Sequence, residues 1–201
     1  SVEKDVNLNR IIDGMHQKFG KDNLTELEKA RYLYIELGKI FRYKMDYLTL
    51  YKRKQEDIYF DMVDFDDIIT NSWICVQMSD IYVEVLKRVG ISASTQKDIN
   101  GRSDYSMPHK YTVINLSDGR NIVADLIYDL PFIQLGMKTG HFGSNSENGQ
   151  KDVLSEEEIK SADDKIGYTF QVSKEEYAYT ETFLEMIKQE LADPEKMREY
   201  V

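Results

Sequence analysis

The sequence predicts an α+β fold, and three observations carry that expectation. Apolar residues recur at helical spacing in segments 8–19, 26–41, 76–89 and 174–191. Two alternating runs flank a turn signal, Ser117-Asp118-Gly119-Arg120, as in a β-hairpin. The 201 residues show neither an internal repeat nor a dividing linker, so residues 1–201 are expected to form one domain with one core.

The elements follow in order. Leu8, Ile11, Ile12, Met15 and Phe19 mark a first helix, with Gly20 as its stop. Thr25 and Glu28 have the spacing of a capping box. They open a second helix, Glu26 to Phe41, with Leu27, Ala30, Leu33, Tyr34, Leu37 and Phe41 on its apolar face. Segment 43–59 lacks periodicity and reads as a connection. A third helix, Val76 to Val89, carries Met78, Tyr82, Val85, Leu86 and Val89, and Gly90 closes it. Ile91 to Thr95 reads as a short strand and Asp98 to Met107 as a loop. His109 to Leu116 and Asn121 to Ile127 read as paired strands. Thr139 to Gln150 holds three glycines, two serines and two asparagines and reads as a mobile surface loop. Tyr168 to Val172 reads as a strand. Lys174 to Leu191 reads as a closing helix, with Tyr177, Phe183, Leu184, Ile187 and Leu191 on one side.

Composition narrows the function classes. The 26 basic residues against 36 acidic ones, a net charge of −10, supply no excess to neutralise phosphates, which argues against a nucleic-acid binder. No run of 18 apolar residues suggests a membrane span. The segment Ser1 to Asp5 does not read as a signal peptide. The expected protein is soluble, either cytoplasmic or secreted without disulfides, and its oligomeric state stays open. Asp61, Asp64, Asp66 and Asp67 could attract a hard cation, but the segment lacks the glycine and terminal glutamate of an EF-hand loop. It reads as a solvated turn, so neither metal nor cofactor is expected; a calcium-binding structural domain is the remote alternative.

Cys75 is the only cysteine, which excludes an internal disulfide. It follows Asn71-Ser72-Trp73-Ile74 at the start of the third helix. On the stripe of Met78, Tyr82 and Val89, such a cysteine is more often core than nucleophile. A helix start nevertheless favours the thiolate, and an imidazolium neighbour would favour it further. With Ser72 or Asn71 as cap, Cys75 falls in the first turn. Of three histidines, His16 lies within a helix and His141 within the glycine-rich loop. His109 opens a strand, which is a rigid mount for a reactive side chain.

The turn decides which residues share a face with His109. A two-residue turn sets Asp125 opposite Thr112 and on the wrong face. A three-residue loop, Ser117-Asp118-Gly119 with Gly119 left-handed, sets Leu116 against Arg120, Tyr111 against Asp125 and His109 against Ile127. Asp125 and His109 are then diagonal neighbours about 7–8 Å apart at the backbone, and a carboxylate there can fix the imidazole tautomer. The three-residue loop is the expectation adopted.

The order of Cys at a helix start, His at a strand start and Asp on the next strand resembles the transglutaminase-like superfamily within the papain-like cysteine-enzyme fold. The residues that carry the resemblance are Trp73-Ile74-Cys75, the helix end Leu86-Lys87-Arg88-Val89-Gly90-Ile91, His109-Lys110-Tyr111-Thr112-Val113, and Asp118-Gly119-Arg120 through Val123-Ala124-Asp125. Ile40-Phe41-Arg42-Tyr43 resembles the end of the family's N-terminal helix. The likeness spans roughly residues 24 to 130.

The resemblance implies a nucleophile helix packed on an antiparallel sheet, with helices at both ends of the chain. It implies that Cys75 attacks an amide carbonyl of a protein or peptide, that His109 pairs with the thiolate and protonates the leaving amine, and that Asp125 orients His109. The Cys75 N–H would be one oxyanion donor, with Trp73 and Asn71 as candidates for the second by position. The thioester then passes to water, as in a protease, amidase or deamidase, or to an amine, as in a transglutaminase. Hydrolysis is favoured because water is always present. The alternative from another class is a non-catalytic binding module that uses tyrosine-rich surface.

Overall fold

The computed structural model describes residues 2–40, 42–43, 72–73, 75–98, 109–134, 136–144 and 151–170. Helix α1 spans Val2–Phe19 and α2 spans Glu26–Ile40. Two short strands, β1 (Arg42–Tyr43) and β2 (Ser72–Trp73), pair in parallel. Helix α3 (Cys75–Arg88) is followed by β3 (Ser92–Asp98), β4 (His109–Asn115) and β5 (Asn121–Ala124). Helices α4 (Leu126–Gln134) and α5 (Glu156–Ile166) complete the described elements. The architecture is α+β, with a three-stranded antiparallel sheet in the order β3-β4-β5.

Local chemistry explains the helix ends. The Thr25 hydroxyl accepts from the Glu28 N–H at 3.2 Å, and the Glu28 carboxylate accepts from the Thr25 N–H at 3.1 Å. This reciprocal cap stabilises the start of α2 by about 1 kcal/mol. Ser155 and Glu158 make the same box at α5. Gly20 and Gly90 take positive φ just past α1 and α3, as expected of helix stops.

Helix α2 is the centre of the packing. It meets α1, α3, α4 and α5, and buries Ala30, Leu33, Tyr34, Ile35 and Leu37. Gly38 permits its close approach to α4, because a Cβ there would run into the Ile133 side chain. Helix α3 lies on β3 and β4. Ala93, Ile114, Ile122 and Ala124 join Met78, Ile81, Tyr82 and Val85 in the main core. Tyr111, Val113 and Val123 form a separate buried cluster, as alternation along a strand requires.

The hairpin has the three-residue loop. Thr112 pairs with Ala124 and Asn115 with Asn121. The Leu116 N–H donates to the Arg120 carbonyl at 2.8 Å, and Gly119 has φ +93°. The turn is also held from outside, since Glu26 on α2 accepts from both the N–H and the hydroxyl of Ser117.

Several expectations are corrected. The strand expected over 121–127 stops at Ala124, and the apolar run after it is helix α4. Strand β3 runs through Asp98, where a loop was expected to begin. The start of the 139–150 loop is packed: Phe142 is buried and bridges Ala124, and the Gly143 N–H donates to the Val123 carbonyl at 2.7 Å. Residues 168–170 are not strand. The expected closing helix 174–191, the Asp61–Asp67 cluster and residues 145–150 lie outside the described residues.

Candidate active site

Cys75 is the first residue of α3 and is half-buried, not sealed in the core. Ser72, one of the two expected caps, pairs with Arg42 in β2 by backbone, and its side chain is outside what the structure describes. Asn71 lies outside the described residues. Trp73 pairs with Tyr43 along the backbone, and its side chain is outside what the structure describes.

One hydroxyl ties the start of α3 to the start of β4. Ser79 Oγ lies 2.7 Å from the Cys75 carbonyl oxygen and 3.1 Å from the Lys110 carbonyl oxygen. Its single proton serves one of them at a time, but both lie within reach of that one atom. Two further contacts reinforce the tie. Lys110 Nζ meets Asp80 Oδ1 at 2.8 Å, and Thr112 Oγ1 donates to the Ser79 carbonyl at 3.4 Å. His109 therefore stands, by backbone, one residue from a carbonyl that shares a hydroxyl with Cys75. It pairs with Asp98 across the sheet; its side chain is outside the described residues.

Asp125 stands between β5 and α4 and is half-buried. The paired register ends at Thr112–Ala124, one residue short of Asp125, and Ile127, expected opposite His109, lies in α4 instead. The Asp125 N–H donates to the His141 carbonyl at 2.9 Å, and its carbonyl accepts from the Tyr34 hydroxyl at 3.1 Å. Cys75, His109 and Asp125 thus lie at one end of the sheet, where β4 begins and β5 ends.

Sequence reading missed a buried network beside them. Asp129 on α4 is 0 % exposed. Its Oδ1 faces the Gly140 N–H at 2.9 Å and His141 Nδ1 at 3.0 Å. Its Oδ2 accepts from the Tyr34 hydroxyl at 2.5 Å and the His141 N–H at 3.0 Å. Burial opposes ionisation of this carboxyl, but the bonds and charge from His141, with those from Tyr34 and Gly140, outweigh it and hold it below the usual range. The available signal was one charged residue inside the apolar run Leu126 to Ile133, since a buried charge demands partners.

Burial pushes the Tyr34 hydroxyl well above the usual tyrosine range, and the Asp129 charge adds to the effect. Burial does the same for Tyr82, and pushes Tyr168 up to about 12. A raised folded-state pKa means that the stability from the neutral form is complete below the unfolded value of about 10. It is lost as pH rises from there through the folded value. Absorbance titration of the tyrosinate band is therefore expected to leave these three of the 14 tyrosines un-ionised at about pH 11 in the folded protein, whereas denatured chain ionises them all. Ionisation of all 14 together near pH 10 without unfolding would contradict the burial.

Comparison with protein-family models, with curated proteins and with solved structures finds no match to the chain. Among the described residues, no helix is long and apolar enough to cross a membrane, and no group of three or more His, Cys, Asp or Glu side chains could hold a metal ion.

Proposed function

We propose that the protein is a cysteine-dependent acyl-transfer enzyme with a transglutaminase-like core, acting on amide bonds of a protein or peptide. Cys75 is the nucleophile, His109 its proton partner and Asp125 the residue that orients His109. The observation that carries this reading is the Ser79 bridge, which brings the first turn of the cysteine's helix to the opening of the histidine's strand. The partial exposure of Cys75 supports it.

The steps follow from residue chemistry. Cys75 Sγ attacks the amide carbonyl, and the first-turn N–H of Cys75 donates to the developing oxyanion. His109 gives its proton to the departing amine, and the C–N bond breaks to leave a thioester. Water then attacks the thioester, releasing a carboxylic acid and the free thiol.

The test is product analysis on a mixture of glutamine-containing peptides, with and without a fluorescent primary amine. Ammonia or new amino termini that vanish with Cys75→Ala are the expected result. Amine incorporation that vanishes with Cys75→Ala identifies a transglutaminase instead. The same products from Cys75→Ala would remove Cys75 from the chemistry, and none from wild type would leave the chain a binding module.

A further inference from the structure

We propose that Asp129 and His141 form a second imidazole–carboxylate pair of this site, and that His141 is the general base for the water that resolves the Cys75 thioester. The inference rests on the acyl-transfer reading above and deepens it by assigning the acceptor as water.

The pair is built as a proton acceptor. Asp129 is fully buried, and its two oxygens already accept from the Tyr34 hydroxyl and from the N–H groups of Gly140 and His141, so it faces the ring as an acceptor. His141 Nδ1 must then carry the proton that meets Oδ1 at 3.0 Å. In the neutral ring, Nε2 is the basic nitrogen. The tautomer is fixed by a buried carboxylate, the arrangement that makes imidazole a base in hydrolytic triads. The His141 side chain is 38 % exposed, so the ring reaches solvent while its anchor does not. Tyr128 and Phe132 on α4 lie beside it, with ring centroids at 5.3 and 6.4 Å.

Holding the loop in place does not require the ring. The N–H groups of Gly140 and His141 already fasten 140–141 to Asp129, and Tyr34 completes that carboxylate. The imidazole is an addition to a joint that backbone alone would make. Its location also favours a role at the site. Asp125 donates its N–H to the His141 carbonyl, and the Tyr34 hydroxyl touches both the Asp125 carbonyl and Asp129. The pair therefore adjoins the main chain of Asp125, the residue assigned to orient His109.

The step balances. His141 Nε2 takes one proton from water, and the water oxygen bonds to the acyl carbon. The C–S bond breaks with its electron pair on Cys75 Sγ, and His141 returns the proton to that thiolate. No other reactant is consumed. Among the described residues, Asp129 and Tyr128 from α4 meet the ring, Tyr34 from α2 meets Asp129, and Asp125 after β5 meets the His141 main chain.

The experiment uses the full chain and p-nitrophenyl acetate, which acylates a reactive thiol and releases a coloured product. The burst reads acylation, and mass spectrometry reads the lifetime of acetyl-Cys75. His141→Gln keeps the backbone bonds to Asp129 and is expected to leave the burst unchanged. It should prolong acetyl-Cys75 about 10²-fold and abolish the rise of deacylation with pH. Asp129→Asn, if it folds, should displace that pH profile. An unchanged acetyl-Cys75 lifetime in His141→Gln, with His109→Gln prolonging it instead, overturns the inference and leaves the acyl-transfer reading standing. Release of p-nitrophenol that is no faster in wild type than in Cys75→Ala, with no acetyl-Cys75 formed, overturns both.

Discussion

Asp163→Ala is expected to destabilise the protein by about 3–5 kcal/mol. Arg31 on α2 meets Asp163 on α5 through two bonds, Nε to Oδ1 at 2.7 Å and Nη2 to Oδ2 at 3.1 Å. Their side chains are 1 % and 4 % exposed. Arg31 Nη1 has no hydrogen-bond partner among the described residues, and the guanidinium lies 5.0 Å from the Phe142 ring centre and 5.7 Å from that of Tyr168. Burial opposes the guanidinium charge, and the Asp163 carboxylate outweighs it, so Arg31 stays charged. Removing the carboxylate leaves that charge buried with only ring faces for company. Urea unfolding measures the loss, and the double variant Arg31→Met, Asp163→Leu should recover most of it, because it removes both charges. A loss below about 1 kcal/mol, the value of an exposed pair, would contradict the burial of this joint.

Under the proposed acyl-transfer function, His109→Ala is expected to lower amide turnover by about 10²–10⁴-fold, the usual contribution of one proton-transfer group. Stability should change little by comparison, since the β4 ladder is made by backbone. Ser79→Ala reaches the same reaction from outside it. Without the shared hydroxyl, the first turn of α3 and the opening of β4 lose their common tie. A shift near 1 Å between two reacting groups costs about 10²-fold. Steady-state rates of the two variants check this, and a His109→Ala enzyme within twofold of wild type would remove His109 from the mechanism.

Parts of this site were legible in the sequence because they depend on local rules. The α2 cap needs only Thr25 and Glu28 at the right spacing, and the hairpin register follows from Gly119 accepting a positive φ. Those rules placed Cys75 at a helix start and set the register of β4 against β5. Helix α4 was not legible. Its apolar run Leu126 to Ile133 has no polar face to reveal a period, and Pro131 speaks against a helix interior. Packing against α2 across Gly38 accompanies the helix there. Helix α5 failed for the opposite reason, being mostly charged, although its Ser155–Glu158 box was visible. The Asp129–His141 pair joins a helix to a loop twelve residues later, so no spacing rule reaches it.

Alkylation of Cys75 by iodoacetamide, followed from pH 5 to 9 in wild type and His109→Ala, tests the central claim most directly. The account predicts rapid, stoichiometric labelling of the folded protein well below the free-thiol pKa of about 8.5, slowed in His109→Ala. A thiol that stays inert at about pH 6–7, or labels at the same rate without His109, would contradict it.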